Sequence, residues 1–254
     1  MSLVFGAVSS DRVDHGSALQ LTESFTVIQW QYCTSDTGAQ NMWWQTAGAT
    51  RHNLERKFQD TNDYSVLLRY NSVSASFDTT GVERPLNAWK FIAVTNLAAD
   101  GGPRLYHGSL TANAVEASYS SRVGGSGTFE TPSGNFLVGN SSALTEAFVG
   151  RIGVTLVWPA TTLTLVQIID QQWHPHVTAG CKLFVHYGFN GTSTQLDWSG
   201  TGNAGTVTGA TVANHIPLIA PFGSDSVNLR VLQAAPFLPK SVLINQTINR
   251  ASTY

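Results

Sequence analysis

The sequence predicts an all-β protein, an antiparallel β-sandwich of jelly-roll type with one short helix. The first observation is a series of short segments in which apolar and polar residues alternate, as in residues 25–32. The second is the close spacing of turn signals between these segments, such as Asp100-Gly101-Gly102-Pro103. Many short strands joined by turns favour two packed sheets and argue against repeated strand–helix units.

The strands follow from this alternation and from runs of β-branched and aromatic residues. In residues 72–77, for example, Val73, Ala75 and Phe77 are predicted to share one face. The region around Glu55, Asp60 and Asp63 is rich in charged and amide side chains and is predicted to be a loop. The predicted strands are residues 25–32, 64–70, 72–77, 91–95, 104–106, 114–119, 136–139, 148–158, 182–189 and 206–212.

One helix is predicted between the strand that ends near Trp158 and Pro175. Thr161 or Thr162 is expected to cap it. Its apolar positions approach the spacing of one helical face, which is expected to rest on a sheet. These positions are Leu163, Val166, Ile169 and Trp173.

Composition limits the classes of partner. The chain has 254 residues, and 42% of them are hydrophobic, which is enough for a substantial core. Charged residues make up only 12% and the net charge is −2, so no basic field attracts a phosphate backbone and nucleic acid is excluded as a partner. No run approaches the roughly 18 apolar residues of a membrane span, so no membrane insertion is expected.

The start of the chain indicates a cytosolic site of synthesis. No signal peptide precedes the strand-like Leu3-Val4-Phe5. Cys33 and Cys181 are therefore expected to be reduced and buried.

Two parts of the chain are predicted to have different roles. Residues 1–218 are expected to form the sandwich, and residues 219–254 a C-terminal arm. The arm carries apolar clusters at 227–231 and 242–244, so it is too apolar for a solvated linker and too short to fold alone. It is expected to pack on this domain or on another molecule.

The segment 40–45 has the chemistry of a sugar site. Asn41, Trp43 and Trp44 combine rings for stacking with an amide for hydrogen bonding, which makes them the candidate ligand-binding residues. The alternative is a strand that buries one tryptophan and exposes the other, because adjacent strand residues point to opposite faces.

Catalytic and cofactor motifs are weak. A glycosidase needs a pair of carboxylates on one face, and no such pair is evident, so no catalytic residues are assigned. The imidazoles of His174-Pro175-His176 are interpreted as a helix-terminal and a surface histidine. Gly200-Thr201-Gly202-Asn203-Ala204-Gly205 matches a dinucleotide-binding pattern, but a strand or turn follows it, so its glycines are interpreted as loop residues.

Several motifs occur in an order that resembles a known family, the laminin-G-like domains of the concanavalin-A-like superfamily, as found in tailed-phage and uncultured viral structural proteins. Arg12 stands where that family commonly has an aromatic residue. The block 199–205 is interpreted either as a permuted closing strand or as the start of a second, truncated copy. The matching residues are Phe5-Gly6 with Asp11 and Val13, Phe25-Thr26 with Trp30, Trp89, Leu105-Tyr106 with Gly108, and Gly150-Arg151-Ile152.

The resemblance implies a fold that binds or displays. The expected function is a non-enzymatic virion structural, decoration or appendage protein on the virion surface, made in the host cytoplasm. Its expected partners are copies of itself, capsid or tail proteins, and cell-surface glycans. The alternatives are a stand-alone carbohydrate-binding module, located outside the cell, and a glycoside hydrolase. No cofactor is assigned, but the family often holds calcium, for which the available carboxylates are Asp11, Asp14, Asp36, Asp78 and Asp100.

Overall fold

The chain forms a sandwich of two antiparallel sheets in a computed structural model that describes residues 2–6, 10–35, 40–47, 50–56, 63–80, 85–97 and 101–214. The jelly-roll type of β-sandwich predicted from the sequence is confirmed. Along the described chain the elements are β1 (Ser2–Phe5), β2 (Arg12–Asp14), β3 (Phe25–Cys33), β4 (Gln40–Ala47), β5 (Thr50–Arg56), β6 (Tyr64–Leu68), β7 (Ala75–Thr80), β8 (Trp89–Asn96), β9 (Arg104–Ser109), β10 (Val115–Glu116), β11 (Ser118–Val123), β12 (Phe136–Val138), β13 (Gly150–Trp158), α1 (Leu165–Trp173), β14 (Leu183–His186), β15 (Thr206–Thr208) and β16 (Thr211–Ala213).

The two sheets place distant parts of the sequence side by side. Sheet A has the order β10-β9-β8-β3-β13-β1-β16, and β14 shares an edge of β13 with β1. Sheet B has the order β11-β7-β6-β5-β4-β12-β2-β15. The long strands β3 and β13 pair from Cys33 with Gly150 to Thr26 with Trp158 and form the centre of sheet A.

The main core lies between the sheets. Alternate residues of the central strands point inward and are buried, for example Val27 and Ile152 from sheet A and Val66 and Phe77 from sheet B. Burial of apolar surface of this kind is the dominant favourable contribution to folding. The inner faces therefore fix the register, and the opposite faces of the same strands are left for other roles.

The outer face of sheet A carries a second core beneath helix α1. Trp30 from β3 and Trp158 from β13 are fully buried there, together with Phe91 and Ile168. Sheet A is thus buried on both faces.

The helix begins one turn later than expected. Its N-cap is Thr164, which forms a capping box with Gln167, and not Thr161 or Thr162. The hydroxyl of Thr162 instead donates to the Asn96 carbonyl at 2.5 Å.

The buried face of the helix also differs from the predicted one. Val166 is 78% exposed, and the buried helical residues are Ile168, Gln171 and Gln172. Polar contacts, in addition to an apolar stripe, fasten this helix to sheet A.

Gln172 makes the central contact between α1 and sheet A. Its amide nitrogen donates to the carbonyls of Ser109 and Ala112 at 2.9 and 2.8 Å, and its amide oxygen accepts from the Ala114 backbone at 2.6 Å. A side chain on Gly108 would meet that amide at 2.6 Å, which explains the glycine of the Leu-Tyr-His-Gly motif. The indole of Trp30 donates to the Gln172 carbonyl at 3.3 Å.

Several predicted boundaries were wrong, among them residues 206–212, which divide between β15 of sheet B and β16 of sheet A. Val73 is exposed outside β7, which runs Ala75–Thr80 and not over residues 72–77. Residues 114–119 divide at Ala117 between β10 of sheet A and β11 of sheet B, because the chain changes sheets there. Glu55 lies in strand β5, which pairs with both β4 and β6, and not in a loop.

The first two strands of the sandwich pair with its last two. β16 pairs with β1 in sheet A, and β15 pairs with β2 in sheet B. The block 199–205 therefore leads into strands that complete both sheets of this domain, as a closing strand would. The predicted arm, residues 219–254, lies outside the described residues, and its role stays a prediction.

Cys33 and Cys181 are both buried, as expected from the sequence, and no disulfide joins them. They lie in different apolar clusters, Cys33 between the sheets and Cys181 beneath α1. Within the described ranges, the nine residues of α1 are too few to span a membrane.

Replacing Gln172 with leucine should lower the free energy of unfolding by about 3 kcal/mol, because it removes the three buried hydrogen bonds of the Gln172 amide to the Ser109, Ala112 and Ala114 backbone. Urea unfolding followed by circular dichroism measures this change. Val166→Ala is the matched control, since Val166 is exposed on the same helix, and it should change the free energy by less than about 0.5 kcal/mol. Equal effects of the two substitutions would show that Gln172 does not fasten the helix.

Candidate functional site

The outer face of sheet B contains a cleft of about 270 Å³. Strands β2, β12 and β4 form its floor, and the loop between β12 and β13 forms one wall. We call this site the sheet B cleft. Its lining residues are Arg12, Asp14, Thr46, Asn135, Leu137, Ser142 and Leu144.

Strand register brings these residues together. Asp14 lies opposite Leu137, and Leu137 lies opposite Trp44, so these three side chains share the outer face. The neighbouring row of Val13, Val138 and Trp43 points into the core instead. Arg12 joins the outer face because it lies two residues from Asp14 on the same strand.

The carboxylate of Asp14 is held in place. One oxygen accepts from the Gly16 backbone and the other from the Asn135 amide, both at 2.8 Å. These two bonds fix the orientation of both Asp14 and Asn135 at the mouth of the cleft.

Arg12 is the cation among the described residues that line the cleft. Its side chain is half-buried and makes no hydrogen bond or ion pair with any part of the chain that the structure describes. A guanidinium carries five N–H donors in a planar arrangement that suits oxygen acceptors. Arg12 thus offers unused donors beside the fixed carboxylate.

The rim contains a strained residue. Leu144 has φ +60°, and a turn holds it there through a hydrogen bond from its backbone nitrogen to the Ser141 carbonyl at 3.2 Å. The left-handed conformation costs a non-glycine residue on the order of 1 kcal/mol. This turn sets an aliphatic side chain at the edge of the cleft, opposite Leu137.

The cleft therefore combines an apolar floor and rim with a few polar groups at fixed positions. Leu137 and Leu144 supply the apolar surface, and Arg12, Asp14 and Asn135 supply charged and amide groups. This combination is typical of sites for small ligands that have both apolar faces and hydroxyl or acidic groups.

The candidate residues of segment 40–45 lie outside the cleft lining. Trp43 is fully buried, stacks on Phe136 and packs edge-on against Phe25. Trp44 is on the outer face beside Leu137 but only 7% exposed. Asn41 is fully buried and donates to Glu146 at 2.5 Å. Trp43 and Trp44 do point to opposite faces, yet neither offers a ring face to a ligand in this conformation.

The candidate calcium and catalytic carboxylates that the structure describes form no metal-binding group. Asp11 accepts from the Gly6 backbone at 2.6 Å, and Asp14 belongs to the cleft. Asp78 lies in β7, while Asp36, Asp60 and Asp100 lie outside the described residues.

The paired histidines at the end of α1 share one acid. His174 and His176 approach the carboxylate of Asp170 at 3.3 and 3.8 Å. Over the described ranges, no group of three or more His, Cys, Asp and Glu side chains is arranged to hold a metal ion.

His15 follows the cleft residue Asp14 and is fully buried. Its Nδ1 donates to the Asn203 carbonyl and its Nε2 accepts from the Tyr187 hydroxyl, both at 2.9 Å, because a carbonyl can only accept. Burial lowers the pKa of His15 to about 4, against a smaller opposing effect of the Asn203 hydrogen bond. The imidazole is neutral and structural at pH 7, and it fixes the end of β2.

His52 is a second buried neutral histidine. It stacks on Phe129 and pairs with the Glu130 carbonyl at 2.7 Å. Burial also lowers the pKa of His52 to about 4.

No family model matches the chain, and no curated protein matches it either. Among solved structures it is similar to a proposed carbohydrate-binding protein of Bacteroides ovatus, with 14% identity and a TM-score of 0.54 over 81% of this chain and 60% of that one. It is also similar to a heptameric SAP-like pentraxin of Limulus polyphemus, with 14% identity and a TM-score of 0.48 over 67% and 80% of the two chains. The CBM40 domain of the Ruminococcus gnavus IT-sialidase, bound to α2,3-sialyllactose, gives 12% identity and a TM-score of 0.49 over 67% and 97%.

At this level of identity the first of these similarities establishes the fold alone. It defines the class of protein as a lectin-like jelly-roll sandwich. The two TM-scores below 0.5 add nothing further, and activity has to be argued from the site itself.

The free energy of unfolding should fall as the pH is lowered from 6.5 to 4. In this window the unfolded chain binds protons at His15 and His52 that the folded chain does not bind, so stability rises with pH. Each histidine accounts for up to about 3 kcal/mol of this fall in the free energy of unfolding. Urea titrations at several pH values measure the slope.

His15→Gln is the diagnostic variant. It should be less stable than the parent at pH 7, because it disrupts the bonds to Asn203 and Tyr187, but its slope should be shallower by up to about 1.4 kcal/mol per pH unit. An unchanged slope would show that His15 is not a buried neutral group.

Proposed function

We propose that this chain is a carbohydrate-binding module that holds its ligand in the sheet B cleft. The observation that carries the proposal is the guanidinium of Arg12, which has no partner among the described residues, beside the fixed pair of Asp14 and Asn135 and over an apolar floor. Sugar hydroxyls donate and accept hydrogen bonds, and the C–H faces of sugar rings pack on aliphatic surface. The cleft offers a partner for each of these properties.

The position of the cleft supports the proposal. Sheet A is buried on both faces, whereas the described chain places no helix over the outer face of sheet B. The floor side chains stand on regular strands, which hold them more precisely than loops do. The strain at Leu144 is a further feature expected of a binding site.

The fold agrees with this proposal by analogy. The Bacteroides ovatus protein of the same fold is itself described as a proposed carbohydrate-binding protein. Fold analogy is associational, so the residues of the cleft carry the argument.

We propose binding without catalysis. Glycoside hydrolysis by the usual routes needs two carboxyl groups that flank the scissile bond. Among its described lining residues the cleft holds one carboxylate, Asp14, and both of its oxygens already accept hydrogen bonds. Release of reducing sugar from a polysaccharide that the protein binds would contradict this part of the proposal.

A glycan array probed with the labelled full chain tests the site. At least one glycan should bind, and Arg12→Ala should weaken that binding at least tenfold, equivalent to about 1.4 kcal/mol, because charged hydrogen bonds to the sugar are lost. Titration calorimetry on the strongest ligand gives the affinities.

Arg104→Ala is the matched control. It removes the same charge from a half-buried residue of β9 in sheet A that pairs with Glu116 at 3.0 Å, and it should leave binding unchanged. Leu144→Gly removes the apolar rim and the backbone strain together, so it should weaken binding while changing stability by less than about 1 kcal/mol. The proposal that the cleft binds carbohydrate would be rejected if the chain bound no glycan. It would also be rejected if neither Arg12→Ala nor Leu144→Gly changed the affinity.

We also propose that the module serves as a virion surface or appendage protein that assembles with copies of itself or with capsid or tail proteins. The support is the resemblance to phage and viral laminin-G-like proteins, the charged share of only 12%, and the apolar clusters in residues 219–254. On this proposal the glycan ligand belongs to a host cell surface.

Light scattering tests the assembly role. The full chain should form a defined oligomer, and a chain truncated after Leu218 should be monomeric, because the segment supplies the apolar contacts between copies. A monomer in both forms would favour a stand-alone module and would leave the glycan site unaffected.

A further inference from the structure

Three large apolar side chains are exposed in the loop between β14 and β15. Phe189 is 62% exposed, and Leu196 and Trp198 are each 49% exposed. The rings of Phe189 and Trp198 meet edge to face, with centroids 5.6 Å apart and planes at 83°. We call these three residues the aromatic platform. Single exposed apolar residues are ordinary, but two rings in contact within one loop form a defined surface.

Buried Gln195 holds the first half of this loop. Its backbone pairs with Gly205 through two bonds of 2.8 Å. Its side-chain oxygen accepts from Gly188, and its side-chain nitrogen donates to the carbonyls of Gly191 and Ser193 at 3.0 and 2.6 Å. Gln195 thereby fixes the turn that carries Phe189.

Asp197 holds the second half. Its carboxylate accepts from the backbone of Phe184, Ser199 and Asn203 at 3.1, 2.9 and 2.9 Å. Burial alone would raise the pKa of Asp197, but hydrogen bonds from Ser199, Phe184 and Asn203 outweigh it and lower the pKa. The acid is ionised and committed to the loop.

The two clamps explain why the apolar residues point outward. Gln195 and Asp197 turn inward, so Leu196 and Trp198, which alternate with them, turn to solvent. Buried polar groups of this kind order a loop in one conformation. The rings are therefore presented in a fixed geometry, and a ligand would not have to bear the entropy of ordering them.

The loop that carries the platform is polar and has little charge of its own. Residues 187–205 contain no lysine or arginine, and their one carboxylate is Asp197, which the loop itself uses. Thr192, Ser193 and Thr194 are exposed in the same loop and carry hydroxyl groups. The loop therefore supplies no cation of its own for phosphate or acidic peptides, and it suits a neutral ligand with many hydroxyls.

The size of the platform argues against a protein partner. At their observed exposure, the three side chains offer on the order of 300 Å² of surface. A stable protein interface needs about 800 Å² per partner. One or two sugar rings match the smaller area.

We propose that the aromatic platform is a second carbohydrate site, which stacks one ring of an uncharged glycan chain on Trp198. It shares no residue with the sheet B cleft, so each of the two proposed sites can be tested and rejected independently of the other. Phe189 supports the Trp198 ring from its edge, and the hydroxyls of Thr192, Ser193 and Thr194 hydrogen-bond the ligand.

The exposure of Trp198 gives a direct probe. The other tryptophans are buried, apart from the half-buried Trp173. In the full chain carrying Trp173→Phe, acrylamide quenching of tryptophan fluorescence therefore reports mainly on Trp198. Cellohexaose, xylohexaose, mannohexaose and laminarihexaose serve as uncharged ligands.

At least one hexasaccharide should reduce the quenching constant about twofold. In titration calorimetry on the parent chain, Trp198→Ala should lower the affinity for that sugar at least tenfold and Trp198→Phe only a few-fold, because phenylalanine retains a stacking face. Val166→Ala, which removes an exposed apolar side chain elsewhere, should have no effect. Thermal melts of each variant confirm folding.

Three outcomes would overturn the proposal. The first is that no hexasaccharide protects Trp198. The second is that sugar binding is lost in Arg12→Ala but kept in Trp198→Ala, which would leave the cleft as the binding site. The third is that Trp198→Ala lowers the mass of the ligand-free protein in light scattering, which would make the platform a contact between copies.

Discussion

The double burial of sheet A is the constraint on which the rest of the structure depends. Its central strands β3 and β13 place apolar side chains on both faces, so one face packs on sheet B and the other must be covered separately. Helix α1 provides that cover, and Gln172 fastens it to the turn after β9. Sheet B, by contrast, needs to bury only one face. Its other face is free to carry Arg12 and Asp14, and this is why the polar chemistry of the sandwich collects there.

Local patterns predict the strands well and the contacts between elements poorly. The alternation in residues 25–32 identifies β3, because the direction of each side chain depends only on its position along the strand. The buried face of the helix could not be predicted in the same way. Gln171 and Gln172 are buried, whereas the spacing of apolar residues favours a different face. The sequence pattern also does not show the change of sheet at Ala117, because a strand that passes from one sheet to the next keeps the same two-residue period.

The cleft depends on pairings that no local pattern reveals. Arg12, Thr46 and Leu137 come from three strands that become neighbours only in the folded sheet. Segment 40–45 was predicted to bind sugar because its aromatic and amide residues are adjacent in the sequence, yet Trp43 and Asn41 are buried in the interior. One signal of the cleft is present in the sequence: Arg12 stands where the laminin-G-like pattern that the chain resembles commonly has an aromatic residue, and Asp14 lies two residues later on the same face of β2. The order of motifs, in turn, was sufficient for the jelly-roll class.

The meeting of the first and last described strands governs how the domain can form. β1 and β2 take their outer partners from β16 and β15, about two hundred residues later, and the Ser2 hydroxyl donates to the Asn214 carbonyl at 2.8 Å. Contacts of such long sequence separation slow folding, because a large loop must close before they form. During synthesis on the ribosome, β1 and β2 lack these outer partners until residue 213 has emerged. A nascent chain of this protein therefore exposes the edges of β1 and β2 until its last described strands are made, and these edges are surfaces at which neighbouring chains on one messenger would associate.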